Sequence, residues 1–415
     1  MERSLNTMPL PKPDDKILRK IEKSNEELAR EIALSGNFDK IEKDLQEKKL
    51  LDSQIERVKK KFENQIDKKD FPTKSEELWR MLTIIELFDT GTAKHCVETY
   101  IIFKEKINKK LTQGIILRSV IKEEVYKEKE QISQSNKNFN LDVLLMERVY
   151  LACILHDIGK VEIPKFILNN QTKKEEWDEI LEKMIDGKSL PQWSLEKLGF
   201  GKNENPIKEK IFERMKEKNI FAKQLIPVKK VLSQEDCEKL RTLGFDPDSH
   251  SLMSIIGTHE EKSKNILLSR KFPIASEIAG QHHTLKKDGS FPVSVGVLQM
   301  SNITSKIVTD FLHLSDVENA MSGDKRPYQK EGEITPIRIV YQQYKEFMAG
   351  EINTITIYLW IKDVFQEASE ESLSQEEQFW QKEIKSFLES LEKEGDIEKI
   401  FREWIKQEKE ISLAA

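Results

Sequence analysis

Apolar residues recur at helical spacing along this 415-residue chain, and few residues interrupt them. Leu51, Ile55, Val58, Phe62 and Ile66 follow steps of four and three, which places them on one face of a helix. Glycine and proline, the residues that disfavour helix interiors, number only 16 and 13. The pattern therefore predicts an all-α fold built from long helices rather than a turn-rich β architecture.

The apolar stripe of residues 51–66 has two interpretations. It is either a dimerising or regulatory coiled coil, or a helix packed on its own domain. Fewer than three clean heptads are present, which favours the second interpretation. We therefore expect residues 1–70 to form a charged helical N-terminal extension.

Further helical patterns mark the rest of the chain. One runs from Ser75 through His95, and another from about Leu141 to Asp157. Near the C-terminus, Ser374 and Glu377 form a predicted capping box, followed by an apolar stripe that predicts a helical hairpin in residues 366–415. The segment INTITIYLW alternates β-branched residues, so helix and strand both remain open there.

Charge and cysteine content exclude several classes of protein. The net charge of −5 and the pI near 6.0 give no basic footprint for duplex nucleic acid. Three widely spaced cysteines fit a reducing compartment better than a disulfide framework. The N-terminus lacks the apolar segment of a secretory signal, and the longest apolar runs are too short to span a bilayer. We expect a cytoplasmic protein without a membrane segment.

Histidine is scarce in this chain but is not scattered. Among only seven histidines, His282 and His283 are adjacent, and His156 is followed directly by an aspartate. Imidazole nitrogen and carboxylate oxygen without thiolate suit first-row divalent ions. Seven candidate ligands exceed what one ion with an open position needs, and they suit two ions about 3.5–4 Å apart that share a carboxylate. The alternative is a polar core without metal. The candidate ligands are His95, His156, Asp157, His259, His282, His283 and Asp316.

Five segments carry these residues in order along the chain. They are LFDTGTAKHCVETY, LLMERVYLACILHDIGKVEIPKFIL, HEEKSKNIL, QHHTLKKDGSFP and SDVENAMSGDKRPYQK. Together they resemble the HD superfamily of metal-dependent phosphohydrolases, and specifically its HD-GYP branch. The resemblance covers about residues 75–365 and implies a bundle of about seven helices, with an insertion at about residues 171–230. That insertion has no counterpart in the family, and a lid, a dimer contact and simple decoration all remain open for it.

The resemblance also implies a two-metal site. One ion would be held by His95, His156 and Asp316, and the other by His259, His282 and His283. Asp157 would bridge the two together with the hydroxide that attacks the phosphorus. Iron and manganese are the first expectation, with zinc, nickel and cobalt also compatible. Gly91 stands where some members have a glutamate that recruits a third metal, so we expect two ions.

Substrate contacts are implied by the same resemblance. Lys160, three residues after Asp157, is expected to hold a non-bridging phosphate oxygen, which makes these two the expected catalytic residues. Arg326, with Lys325 or Lys330, would hold a second phosphate or a guanine edge, the alternative being a solvated basic loop.

The loop that names the HD-GYP branch differs in this chain. Ser290, Phe291 and Pro292 stand where the family has glycine, tyrosine and proline, and Thr284 stands where a glutamate usually follows the histidines. Phe291 keeps a ring that can stack on a base but lacks the hydroxyl group. The difference affects the expected choice of substrate more than the expected metal chemistry.

Three functions follow from this pattern. The first is a bacterial signalling phosphodiesterase that opens a cyclic dinucleotide, with cyclic di-GMP the leading substrate. The second is an HD phosphohydrolase for another nucleotide, such as cyclic GMP-AMP. The third is a sensor that binds cyclic di-GMP without hydrolysing it. A homodimer through the terminal helices is compatible with each of them. His250 and His313 are interpreted as ordinary residues, although His313, three residues before Asp316, is placed to orient that carboxylate.

Overall fold

The computed structural model describes residues 15–108, 110–119, 141–202, 204–218, 220–283, 306–322, 335–348, 352, 354–367 and 373–393. Helices account for 75 % of the structure, and these residues contain no strand, so the all-α prediction is confirmed. No helix in the described ranges is long and apolar enough to cross a membrane.

The α-helices are numbered here in chain order. They are α1 (Asp15–Ala33), α2 (Phe38–Glu47), α3 (Leu51–Phe62), α4 (Ser75–Phe88), α5 (Thr90–Ile107), α6 (Lys110–Ser119), α7 (Leu141–Leu155), α8 (Lys165–Leu168), α9 (Lys174–Asp186), α10 (Gln192–Lys197), α11 (Lys208–Glu217), α12 (Gln234–Thr242), α13 (Leu252–Gly257), α14 (His259–Ser269), α15 (Pro273–Ala279), α16 (Lys306–Ser322), α17 (Pro336–Met348), α18 (Thr354–Glu367) and α19 (Gln375–Lys393). Short 3₁₀ helices lie at Lys68–Asp70, Ile158–Glu162, Ala222–Gln224 and Val228–Lys230.

One hydrophobic core joins the N-terminal helices to the helices that carry the motifs. The apolar stripe of α3, including Val58 and Phe62, is buried, and so is Ile66 beyond its end. These side chains belong to the same apolar cluster as residues of α4, α5, α7 and α16. The stripe therefore packs within its own chain, as the second interpretation predicted.

Two buried glutamates hold α4 against its neighbours. Glu147 on α7 accepts hydrogen bonds from the backbone N–H groups of Thr73 and Lys74, at 2.7 and 2.8 Å, just before α4 begins. Glu86 near the end of α4 accepts a hydrogen bond from Lys61 of α3 at 2.9 Å. Because both carboxylates are almost fully buried, these contacts offset a large desolvation cost.

A second apolar cluster fills the region of the predicted insertion. It includes Trp177 and Leu181 of α9, and it extends beyond residues 171–230, from Ile163 to Ile255. Both ends of this cluster adjoin the motif segments, since the 3₁₀ helix Ile158–Glu162 precedes it and α14 follows it. The insertion is thus a small helical body with a core of its own.

Several local predictions need correction. The helix predicted from Ser75 through His95 is two helices, because Asp89 is extended and its carboxylate accepts a hydrogen bond from the Thr92 N–H, capping α5. The helix predicted to reach Asp157 ends at Leu155. INTITIYLW, for which helix and strand were both open, contributes to helix α18.

The predicted capping box at the start of α19 is confirmed. The Glu377 N–H donates to Ser374 Oγ at 3.3 Å, and the Glu377 carboxylate accepts from the Ser374 N–H at 2.9 Å. The second half of the predicted C-terminal hairpin lies outside the described residues.

Candidate metal centre

Seven potential ligand side chains converge from five segments of the chain. His95 lies on α5, Asp316 on α16 and His259 at the start of α14, while the remaining four lie in turns. The turn after α7 carries His156 and Asp157, and the turn after α15 carries His282 and His283. Among the described residues, three overlapping sets form, in each of which the ligand atoms lie within 4.8 Å of one another. The sets are His95, His156 and Asp157; His259, His282 and His283; and His156, His282 and Asp316, which overlaps the other two. Below, the first group denotes His95, His156 and Asp316, and the second denotes His259, His282 and His283.

The carboxylate of Asp157 lies between the two groups. Its Oδ1 is 3.2 Å from Nε2 of His259 and 3.9 Å from Nε2 of His282. Its Oδ2 is 3.5 Å from Nε2 of His156 and 3.8 Å from Nε2 of His95. Each oxygen of this carboxylate thus faces a different group of histidines.

Asp316, on α16, completes the first group. Its Oδ1 lies 2.6 Å from Nε2 of His95 and 3.7 Å from Nε2 of His156. Its Oδ2 lies 3.8 Å from Nε2 of His283, whose side chain is 40 % exposed. The site is therefore buried on most sides and opens toward His283.

Three of the histidines are held in the same orientation. In each, Nδ1 lies within hydrogen-bond distance of the carbonyl three residues earlier, so Nδ1 carries the proton and the Nε2 lone pair faces the centre. The pairs are His156 with Cys153 at 2.8 Å, His259 with Ile256 at 2.7 Å, and His282 with Ala279 at 2.6 Å.

The residues of the site fit a divalent ion, because two of their buried polar atoms have no hydrogen-bond partner among the described residues. His156 Nε2 and Asp157 Oδ1 are buried and have no hydrogen-bond partner among the described residues. Buried polar atoms without a partner are costly and rare in proteins. A cation held between the two groups would satisfy both atoms, and it would suit a donor set made of imidazole nitrogen and carboxylate oxygen.

Comparison with known protein families gives a match. The sequence matches the HD domain family over residues 92–309, which is just over half of the chain. The chain belongs to the HD domain family. HD domains bind divalent metals and imply a metal-dependent phosphohydrolase. A search of curated proteins and a search of solved structures returned no significant match. Six of the seven candidate ligands lie within the matched residues, and Asp316 lies beyond them on α16.

Within the HD centre, the site formed by the seven candidate ligands, the electrostatics favour the binding form of Asp157, Asp316 and His282. Burial alone would raise the pKa of Asp157, but the charges of Lys160 and His156 hold it well below the ordinary aspartate value. The pKa of Asp316 is likewise held low despite burial, by the neighbouring imidazoles of His156 and His95. Burial and the nearby imidazoles lower the pKa of His282 well below the ordinary histidine value. Both carboxylates are therefore anionic and His282 is neutral, as metal ligation requires.

Two cysteines adjoin the HD centre without belonging to it. Cys96 and Cys153 are fully buried, and burial raises the pKa of each thiol well above its ordinary value. They therefore remain thiols, which are poor metal ligands. This agrees with their interpretation as core residues.

Lys160 lies directly over the carboxylate of Asp157. The 3₁₀ helix Ile158–Glu162 has about three residues per turn, which aligns residues three apart. The Lys160 ammonium donates to Asp157 Oδ2, and its side chain is 23 % exposed. Burial alone would lower the pKa of Lys160, but the charge of Asp157 raises it, so the residue is a fixed cation at the edge of the site.

The other predicted substrate contacts cannot be placed in this geometry. Phe291, Lys325, Arg326 and Lys330 lie outside the described residues, as do Thr284 and the rest of the loop around Phe291. Their roles stay predictions.

His313, interpreted as ordinary or as a support for Asp316, instead contacts the turn that carries His282. Its Nδ1 lies 2.9 Å from the carbonyl oxygen of His282, and its Nε2 lies 3.3 Å from a carboxylate oxygen of Glu346. With both nitrogens engaged in this way, His313 holds the turn that carries His282 rather than the carboxylate of Asp316. His250 hydrogen-bonds to the Asp246 carbonyl in its own loop and is ordinary, as predicted.

Two polar residues of the HD centre were not predicted from the sequence. Asn319 is buried, and its Nδ2 contacts the carbonyl of His95 at 2.8 Å, Nδ1 of His95 at 2.9 Å and Thr99 Oγ1 at 3.0 Å. Ser263 is fully buried and contacts the turn that carries His156. The signal in the sequence is their spacing, one helical turn after Asp316 and after His259 respectively.

Proposed function

We propose that this HD domain protein is a two-metal phosphodiesterase that opens a cyclic dinucleotide, with cyclic di-GMP as the leading substrate. The observation that carries the proposal is the position of Asp157. Its two oxygens face two separate groups of histidines, as a carboxylate shared by two ions would. Such pairs of ions are typical of phosphoester hydrolysis.

The proposed ligand assignment follows the two groups. His95, His156 and Asp316 hold one ion, His259, His282 and His283 hold the other, and Asp157 is shared. When bound, divalent ions of this kind act as Lewis acids toward the phosphoryl group and lower the pKa of a water molecule. Iron or manganese is the first expectation, and zinc, nickel and cobalt fit the same nitrogen and oxygen donors.

The residues of the chain prepare the site for a phosphodiester. The hydrogen bonds from Nδ1 to backbone carbonyls fix the imidazole rings before any substrate arrives, so little reorganisation is needed. Lys160 places a permanent positive charge next to Asp157, within reach of a non-bridging phosphate oxygen. The buried walls around Asp157 limit the access of bulk water and strengthen these charges.

The substrate proposal rests on the resemblance of the motif segments to the HD-GYP branch. The Arg-Pro-Tyr segment that contains Arg326 offers a charged group for a second phosphate or a guanine edge. The loop with Phe291 in place of tyrosine favours a second candidate, hydrolysis of another nucleotide such as cyclic GMP-AMP. A sensor without turnover is a weaker candidate, because binding alone does not need two complete groups of ligands.

The test uses protein purified without oxygen and loaded separately with Fe(II) and Mn(II). Each form is incubated with cyclic di-GMP and cyclic GMP-AMP, and the products are identified by mass. A linear dinucleotide from cyclic di-GMP supports the leading proposal, and one from cyclic GMP-AMP alone supports the second. Both substrates intact, with two ions per chain confirmed, would contradict the phosphodiesterase, and tight binding would then favour the sensor.

A further inference from the structure

The turn that carries His156 and Asp157 packs very closely against the helix that carries His259. Gly159, in the 3₁₀ helix that directly follows this turn, faces α14, and a Cβ atom there would lie 2.1 Å from the carbonyl oxygen of His259 and 2.5 Å from the backbone nitrogen of Ser263. Such distances are far below van der Waals contact. Glycine is therefore required at this position so that the two ligand-bearing segments can approach.

Ser263 joins these two segments through a single hydroxyl group. Its Oγ accepts a hydrogen bond from the Gly159 N–H at 2.8 Å and donates one to the His156 carbonyl at 2.6 Å. The side chain is fully buried, so water cannot replace it readily. The two partners lie on either side of Asp157 along the chain, His156 in its turn and Gly159 in the 3₁₀ helix that follows, whereas Ser263 itself lies one helical turn after His259.

We infer that Ser263 is a positioning residue that sets the distance between the two groups of metal ligands. The inference rests on the proposed two-metal site. Asp157 can serve both groups only if its turn stays close to His259, which is now 3.2 Å away. Without the Ser263 hydroxyl, the backbone groups of Gly159 and His156 lose a buried partner, and the turn moves away from α14 to recover one. The shared carboxylate then serves one ion well and the other poorly.

Ser276 provides the matched control. It is also a buried serine. It lies on α15, and its hydroxyl donates to the Lys264 carbonyl on α14, the helix of Ser263, at 2.8 Å. Among the described residues, its hydroxyl has no hydrogen bond to the turn of Asp157. Ser263→Ala and Ser276→Ala therefore each remove one buried hydrogen-bonding hydroxyl near α14, but only the first acts on the junction between the two groups.

The experiment counts manganese ions per chain and measures the affinity of each by competition with a chelator. Spin coupling between the two Mn(II) ions is recorded by electron paramagnetic resonance, and Tm is recorded for each variant. We expect similar losses of Tm in both variants. Ser276→Ala should keep two coupled ions. Ser263→Ala should bind the lower-affinity ion of the two about 10- to 100-fold less tightly and lose the spin-coupled signal.

Equal metal affinity and equal coupling in the two variants would overturn the inference. Should Ser263→Ala fail to fold, Ser263→Cys, which keeps the shape and a weak donor, is measured in the same way. A wild-type protein that binds fewer than two ions would instead contradict the two-metal proposal itself, whatever the variants show. The two failures are therefore distinguishable.

Discussion

Oδ1 of Asp157 lies 3.2 Å from Nε2 of His259, although the two residues belong to segments separated by the whole inserted helical body. This contact joins the turn after α7 to the start of α14. The other oxygen of Asp157 faces His156 on the opposite side. The helical body of residues 163–255 thus lies, along the chain, between the two segments that carry Asp157 and His259.

Lys160 is predicted to serve turnover rather than metal binding. Lys160→Met removes a fixed cation beside Asp157, so kcat should fall about 10²- to 10³-fold while the metal content stays at two ions per chain. The measurement is steady-state kinetics combined with elemental analysis. Lys262→Met is the control, because its ammonium pairs with Glu162 and its side chain has a similar exposure, 26 % against 23 %. Equal kcat in the two variants would contradict the role of Lys160.

Metal removal is predicted to destabilise the protein. Asp157 and Asp316 are buried carboxylates gathered beside several imidazoles, and His156 Nε2 and Asp157 Oδ1 have no other partner among the described residues. An ion present at about 1,000 times its Kd adds about 4 kcal/mol to the free energy of unfolding. Thermal unfolding with and without a chelator checks this. A Tm that does not change on chelation, and does not recover on adding Mn(II), would argue against a bound ion.

Asn319 is predicted to hold the first ion through His95. Asn319→Ala removes three contacts to α5, so His95 is free to turn and the ion beside it should bind about 10- to 100-fold less tightly. Gln343→Ala is the control, since this buried amide on α17 donates to the Leu314 carbonyl on α16, the helix that also carries Asn319, and has no hydrogen bond to His95 among the described residues. A chelator titration of both variants makes the comparison. An equal loss of metal affinity in the two variants would show that Asn319 acts only through the stability of the protein.

The N-terminal helices are predicted to be part of the folded core rather than a separable regulatory coil. Phe62 is 2 % exposed, so Phe62→Ala should lower the free energy of unfolding by about 3–5 kcal/mol. Leu34→Ala is the control, because Leu34 is 51 % exposed and should cost little. Denaturant unfolding gives both values, and light scattering gives the oligomeric state. A stable Phe62→Ala protein that has lost a dimer would favour the coiled coil instead.

Local sequence patterns anticipated the helical fold and the set of residues gathered at the centre. Helical stripes such as that of α3, and capping pairs such as Ser374 and Glu377, depend on neighbours within one or two turns. The seven candidate ligands were found because histidine is scarce and the motifs keep their order. Their assignment to two ions stays a proposal.

Tertiary contacts explain what the sequence did not reveal. Asn319 meets His95 across more than 200 residues, and Ser263 meets the turn of His156 across more than 100. No local rule connects such residues. The break at Asp89 was missed because the apolar pattern continues on both sides of it, and the extent of the second core was missed because its apolar residues lie between charged ones.

The central claim is that Asp157 is shared by two metal ions, and counting metal in wild type and Asp157→Asn tests it most directly. The substitution keeps the shape of the side chain but removes the charge that both groups of histidines face. Elemental analysis after Mn(II) loading and gel filtration should give two ions per chain in the wild type and at most one in the variant, with phosphodiester hydrolysis lost. Two ions retained in Asp157→Asn, or fewer than two in the wild type, would contradict the shared carboxylate.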